Sequence, residues 1–219
     1  MNPSDALGSY LSALEAARAR FRNRHPQALT CMEGIASNFA ILKAAEQQSA
    51  EAGSKRSRTA PFLQIMERQT LSAFDAISTY RSVQATGALR PAIEAALITG
   101  KWLDDEDNVS IFLSREGNLH QFTRSFTGLA VISRSLRCSA ALQIFLKKAD
   151  ETALSVTPAA YAALLAQATG SAETDGYLDT DEVLTAHLNE ILPLLINAQQ
   201  DLLLAYGDTR RLTPAPADL

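Results

Sequence analysis

Arg115 and His120, within REGNLH, place a permanent cation near a group that exchanges a proton close to neutral pH. An arginine can hold a phosphate while a histidine acts as general acid or base, so such a pair could cleave RNA without a metal. Arg20 and His25 repeat the spacing. A second group is acidic. In SAETDGYLDTDE, residues 171–182, Gly176, Leu178 and Glu182 fall at positions six, eight and twelve of a candidate calcium loop, with Asp175 at position five. Asp175 and Glu182 would then be metal ligands; otherwise the stretch is an acidic turn whose carboxylates favour the N-terminus of the next helix. The third group lies in LRPAIEAALITGKWL, residues 89–103. On a helix, Arg90, Glu94 and Lys101 share a stripe about 40° wide, and the remaining surface is uncharged. That stripe is either a sliver of solvent face, with Arg90 and Glu94 as an ordinary i,i+4 pair, or a groove in which desolvation makes the pair strong and costly. Arg81, near the end of the preceding helix, is grouped with these three as a binding residue.

Two of these groups are similar to known families. The spacing of Arg115 and His120 resembles the R-x4-H pattern of HEPN-type helical ribonucleases, in which a dimer brings the motif together at a cleft. The resemblance implies a helical homodimer in which Arg115 and His120 serve RNA cleavage. The R-P-x-x-E opening from Arg90 to Glu94, followed by an apolar run and Trp102, resembles bacterial helical domains of unknown function related to HEPN proteins. That likeness covers residues 75–130 and implies a helical bundle without naming an activity. Residues 171–182 resemble an EF-hand loop, which implies calcium. His187, among the leucines of the last helix, reads as a histidine at the edge of the core.

The elements that must position these residues are helical throughout. A helix apolar on nearly every side is surrounded by protein, so residues 89–103 are expected to form the central helix of a bundle, starting near Leu89 with Pro91 in its first turn. A first helix should run from Ser4 or Asp5 to Arg24 and stop at His25 and Pro26. Within it Arg18 and Arg22 share one side, while Arg20 and Arg24 share nearly the opposite one. A second helix is expected over 27–51, a basic loop over 52–61, and a third helix from Pro61 to Thr86, closed by Gly87. The acidic turn at 104–108 caps a helix beginning near Val109. One long helix is expected from His120 to Lys148, with Arg134, Arg137 and Lys148 on a basic face. A short helix over 157–170 and a last one from Thr180 to Tyr206, kinked at Pro193, complete the set. Residues 209–219, with two prolines and little to bury, read as a disordered tail.

Composition sets the remaining bounds. The chain has 219 residues, 47% of them apolar and 20% charged, which suits one sizeable core. No apolar run approaches the roughly 18 residues needed to cross a bilayer, and no signal peptide opens the chain, so a cytoplasmic protein is expected. Cys31 and Cys138 are too few for a zinc site or a disulfide framework and read as buried thiols. Residues 115–148 hold six basic residues and one acidic, whereas residues 150–208 hold ten acidic residues and no lysine or arginine. Packing of the acidic segment against the basic one is the simpler expectation. The sequence therefore predicts a single all-α domain of about seven helices over residues 1–208. Its expected function is interaction or regulation through a charged groove beside the central helix, at Arg81, Arg90, Glu94 and Lys101. The partner would be a protein or a second copy of the chain, with RNA possible and no membrane. A ribonuclease using Arg115 and His120 is the enzymatic alternative, and a calcium-responsive module using Asp175 and Glu182 is the third. Calcium is the only cofactor considered.

Overall fold

The computed structural model describes residues 3–51, 59–126, 132–154 and 178–213. Among them are eight helices and no strand: α1 Pro3–Arg24, α2 Pro26–Glu51, α3 Ala60–Ser78, α4 Ser82–Asp104, α5 Glu106–Leu113, α6 Leu119–Phe126, α7 Ser139–Leu154 and α8 Asp181–Ala205. The chain is all-α. Helix α4 packs against α3, α5, α7 and α8, as expected of a central helix. Its Leu89, Ile93, Ala96 and Leu97 are buried with Leu63 and Ile77 of α3 and Leu195, Leu202 and Leu203 of α8. Small residues let the neighbours come close. A Cβ on Gly100 would lie 2.6 Å from Leu136 Cγ and from Ser133 Oγ, so only glycine fits there.

Three boundaries differ from the sequence expectation. Helix α3 stops at Ser78 and α4 starts at Ser82, so the break falls at Tyr80 and not at Gly87. The Arg81 N–H donates to Ala76 O at 3.0 Å and the Tyr80 N–H to Ile77 O at 2.9 Å, which closes α3 with Tyr80 in the left-handed region at φ 57°. Gly87 is carried along inside α4, and Pro91 lies in the helix interior. The second difference is the expected long helix from His120 to Lys148, which is two helices. Serines 133, 135 and 139 offer bonds that compete with helix. Asp104, at the end of α4, accepts from the Arg134 N–H at 2.8 Å, the Ser135 N–H at 2.6 Å and both serine hydroxyls at 133 and 135, which fixes a non-helical turn before α7.

The third difference is at the C-terminal end. Gly207 turns the chain back at φ 85°, a conformation that favours glycine. Residues 208–213 then run along α8 in the reverse direction. The Gln200 amide donates to Arg210 O at 3.1 Å and accepts the Leu212 N–H at 3.0 Å, Leu212 is buried, and the Thr213 N–H reaches Asn38 Oδ1 at 3.3 Å. Asn38 is itself fixed, because its amide donates to Gln199 Oε1 at 3.0 Å while the Gln199 amide donates to Ile35 O at 2.9 Å. The helix expected over 157–170 lies outside the described residues.

Candidate functional site

The densest polar cluster is built around Asp181, the first residue of α8. Pro26 begins α2 and pushes the residue before it out of helical geometry, so the chain bends at His25 and presents the end of α1 to α8. Arg20 and Arg24, one turn apart on α1, face the same way, as their spacing predicts. Arg24 donates to Asp181 Oδ2 at 2.7 Å, and Tyr80 Oη donates to Asp181 Oδ1 at 2.6 Å. Two further groups stand just outside bonding distance of the same Oδ1: Arg20 Nε at 3.9 Å and His25 Nε2 at 3.8 Å. Both nitrogens are buried and have no hydrogen-bond partner among the described residues. The Arg20 guanidinium lies 3.8 Å from the centre of the Tyr80 ring, a cation–π contact. The Tyr80 hydroxyl, with the cations beyond it, holds the Asp181 carboxyl below its usual range, whereas burial and then Asp181 raise the Tyr80 phenol. Asp179 completes the joint. Its N–H donates to Tyr80 O at 2.8 Å, and its carboxylate accepts the Ser82 N–H at 2.5 Å.

Beside this cluster an open groove of about 960 Å³ runs between α2 and α8. Its floor is apolar, with Cys31, Leu188 and Leu192 buried, and Gln27, Thr30 and Asn189 stand exposed along its rims. Arg24 and His25 close one end. Burial pushes the Cys31 thiol up to about 11, so it is not a thiolate nucleophile at neutral pH. An apolar floor with amide and hydroxyl side chains on its rims suits an extended peptide, whose backbone bonds to the rim while its side chains enter the floor.

The residues singled out in the sequence are placed differently. Arg90 Nη2 meets Asp150 of α7 at 2.8 Å and Arg90 Nε meets Glu94 at 3.3 Å, so the charged stripe of α4 is a half-exposed ionic triad tying α4 to α7. Arg81 turns to Thr79 Oγ1 at 2.8 Å and to Asp75 at 3.4 Å. Lys101 is half-buried near the other end of α4, about 30 Å along the helix from Arg81, so the four do not form one site. Arg115 and His120 are both exposed, Arg115 on the turn between α5 and α6 and His120 in the first turn of α6. Arg115 donates to Phe112 O at 3.2 Å, and its guanidinium lies 5.2 Å from the Phe112 ring centre. Glu182 is exposed in the first turn of α8, where its own backbone N–H and then the Thr180 hydroxyl hold it below the usual range. Asp175 lies outside the described residues. Among the described residues no three histidine, cysteine or acidic groups come together as metal ligands.

Among the described residues the acidic segment finds its cations on several elements, Asp150 on α4, Glu190 on α7 and Asp181 on α1. Lys148 of α7 meets Glu190 of α8 at 2.5 Å, but Asp181 is served by α1, and Asp201 accepts the Cys138 N–H at 2.9 Å. Asp181 and Tyr80 were not visible as site residues in the sequence. The available signal was the pairing of Arg20 with Arg24 on one face and the recurrence of the R-x4-H spacing at His25. No family model, no curated protein and no solved structure matches this chain. Among the described residues no helix is long and apolar enough to cross a membrane.

Proposed function

We propose that this chain is an interaction or regulatory module that takes an extended protein segment into the groove between α2 and α8. The observation that carries the reading is the groove itself, with its apolar floor, uncharged polar rims and one cationic end. The stripe beside α4 gives way to it because Arg90 is already spent on Asp150 and Glu94. Selection of displayed random peptides on the full chain, and on a variant carrying Thr30→Arg and Asn189→Arg, tests this. Enrichment on the wild type that is lost on the variant supports the reading; equal enrichment on both, or none, removes it.

A ribonuclease is the second reading. It is favoured by one observation, that Arg20 and His25 share the R-x4-H spacing and converge on Asp181 together with the Tyr80 hydroxyl. That site would bind phosphate with the arginines and use His25 for proton transfer, with a second copy of the chain completing the cleft. Arg115 and His120 remain the alternative pair on the surface. Cleavage of RNA by the wild type that is abolished by His25→Ala or by His120→Ala would establish the enzyme and identify the pair; no cleavage by the wild type would remove this reading.

A further inference from the structure

We infer that the partner segment places one leucine-sized side chain in the floor between α2 and α8, has its backbone held by Gln27 and Asn189, and carries an acidic residue on the C-terminal side of that anchor. This names the chemistry of the partner and rests on the function proposed above. The seam between α2 and α8 already holds one extended segment of this kind. Gln200 of α8 donates to Arg210 O at 3.1 Å and accepts the Leu212 N–H at 3.0 Å, while Asn38 of α2 accepts the Thr213 N–H at 3.3 Å. Leu212, whose N–H makes one of those bonds, is buried in the core. Two amide side chains on facing helices therefore hold a backbone, and one aliphatic side chain fills the space between.

The same arrangement recurs at the groove. Helices α2 and α8 run in the same direction, because Asn38 meets Gln199 at one level while Gln27 and Thr185 line the groove at another. Gln27 stands eleven residues before Asn38, and Asn189 stands eleven residues before Gln200. Eleven residues are close to three whole turns, so each amide lies on the same stripe as its counterpart, about 17 Å along the helix. Both are exposed and both line the groove, with Leu188 and Leu192 in the floor beside them. Asn189 can thus bond the C=O of one residue and the N–H of another, as Gln200 does, while Gln27 accepts across the seam in the place of Asn38.

Direction fixes the charge. Asp208 and Thr209 share a pocket with Ala45 and Ser49, and Thr213 is bonded to Asn38, so residues 208–213 run toward the N-terminal end of α2. A partner held in the same way points its C-terminal side at Arg24 and His25, which close the groove there. Arg24 is largely exposed and has donors beyond its bond to Asp181. The first turn of α2 has no acidic residue to offset the positive end of its dipole, which favours the same sign of charge.

Peptides enriched on the full chain from a displayed random library are the probe. The expected consensus is a leucine, isoleucine or methionine followed, on its C-terminal side, by aspartate or glutamate. In a synthetic peptide of that consensus, N-methylation of the aliphatic residue removes the N–H that Asn189 accepts and should weaken binding to the wild type about tenfold. On Asn189→Leu, which binds more weakly from the start, the same methylation should change little. Asn189 is exposed, so this variant should fold as the wild type does, and its thermal unfolding checks that. Replacing the acidic residue by its amide should weaken binding to the wild type about threefold and leave binding to Arg24→Gln unchanged. A consensus lacking the aliphatic or the acidic position, or peptide changes that act equally on wild type and variant, overturns this inference and leaves the groove reading standing. Absence of enrichment, or equal enrichment on the variant carrying Thr30→Arg and Asn189→Arg, removes the groove reading and this inference with it.

Discussion

Tyr80 and Asp181 are joined across 101 residues by a 2.6 Å hydrogen bond, from a tyrosine at φ 57° to the first residue of a helix. A left-handed backbone costs a non-glycine residue about 1–2 kcal/mol, and it persists only where its surroundings fix it. Here the fixing groups are on view: the Asp181 carboxylate, the Asp179 N–H, the Arg20 guanidinium and the edge of Phe21. One turn between α3 and α4 thereby sets where α8 begins and how the elbow at His25 meets it.

Tyr80→Gly separates the two contributions. Glycine relieves the backbone cost but removes a fully buried ring, whose loss costs about 3–5 kcal/mol, so the variant should be destabilised on balance. Tyr80→Phe keeps the ring and loses only the bond to Asp181, which should lower the melting temperature by about 2–4 °C. Thermal unfolding of the two variants checks both values.

Asp181 gives the joint a pH dependence of known sign. Its carboxyl is held below the ordinary 3.8, so the folded state binds its proton less readily than the unfolded chain. The stability this contributes is complete above about 3.8 and is lost as the pH falls through the lower, folded value. Urea unfolding between pH 5 and about 2.5 should show a shallower loss for Asp181→Asn than for the wild type.

His187 acts in a higher window. Burial on α8 lowers its value below the ordinary 6.5, and its Nε2 has no hydrogen-bond partner among the described residues. The unfolded state then takes up the proton first, so stability should fall as the pH drops below about 6.5. His187→Gln, which does not titrate, should flatten that part of the profile.

The helical class and the central place of α4 were legible because the apolar run over 89–103 leaves only one narrow charged stripe. The elbow at His25 was legible from Pro26. What the sequence could not place was the turn at Tyr80, since a left-handed tyrosine is imposed by tertiary contacts and carries no local signal, whereas Gly87 is a signal the fold ignores. The split of the expected long helix was hidden for a similar reason: Asp104, 29 residues before Ser133, supplies the bonds that stop the chain from staying helical. The R-x4-H spacing was visible twice, and only packing distinguishes the half-buried copy at Arg20 and His25 from the exposed one at Arg115 and His120.

Gly100 tests the close approach that this packing needs. Alanine there would meet Leu136 and Ser133 well inside contact distance, so Gly100→Ala should cost about 1–3 kcal/mol despite alanine's better helix propensity. Denaturant unfolding gives the value, and an unchanged or raised stability would mean that the segment around Ser133 yields more easily than its bonds to Asp104 imply.

The location of a bound peptide is the most direct test of the account. A peptide enriched by selection on the full chain would be titrated into the isotope-labelled protein and its amide shifts mapped. The account predicts that the largest changes fall at Gln27, Thr30, Thr185 and Asn189, on the two rims of the groove between α2 and α8. Changes centred on α4 around Arg90 and Glu94, or on Arg115 and His120 at the junction of α5 and α6, would contradict it.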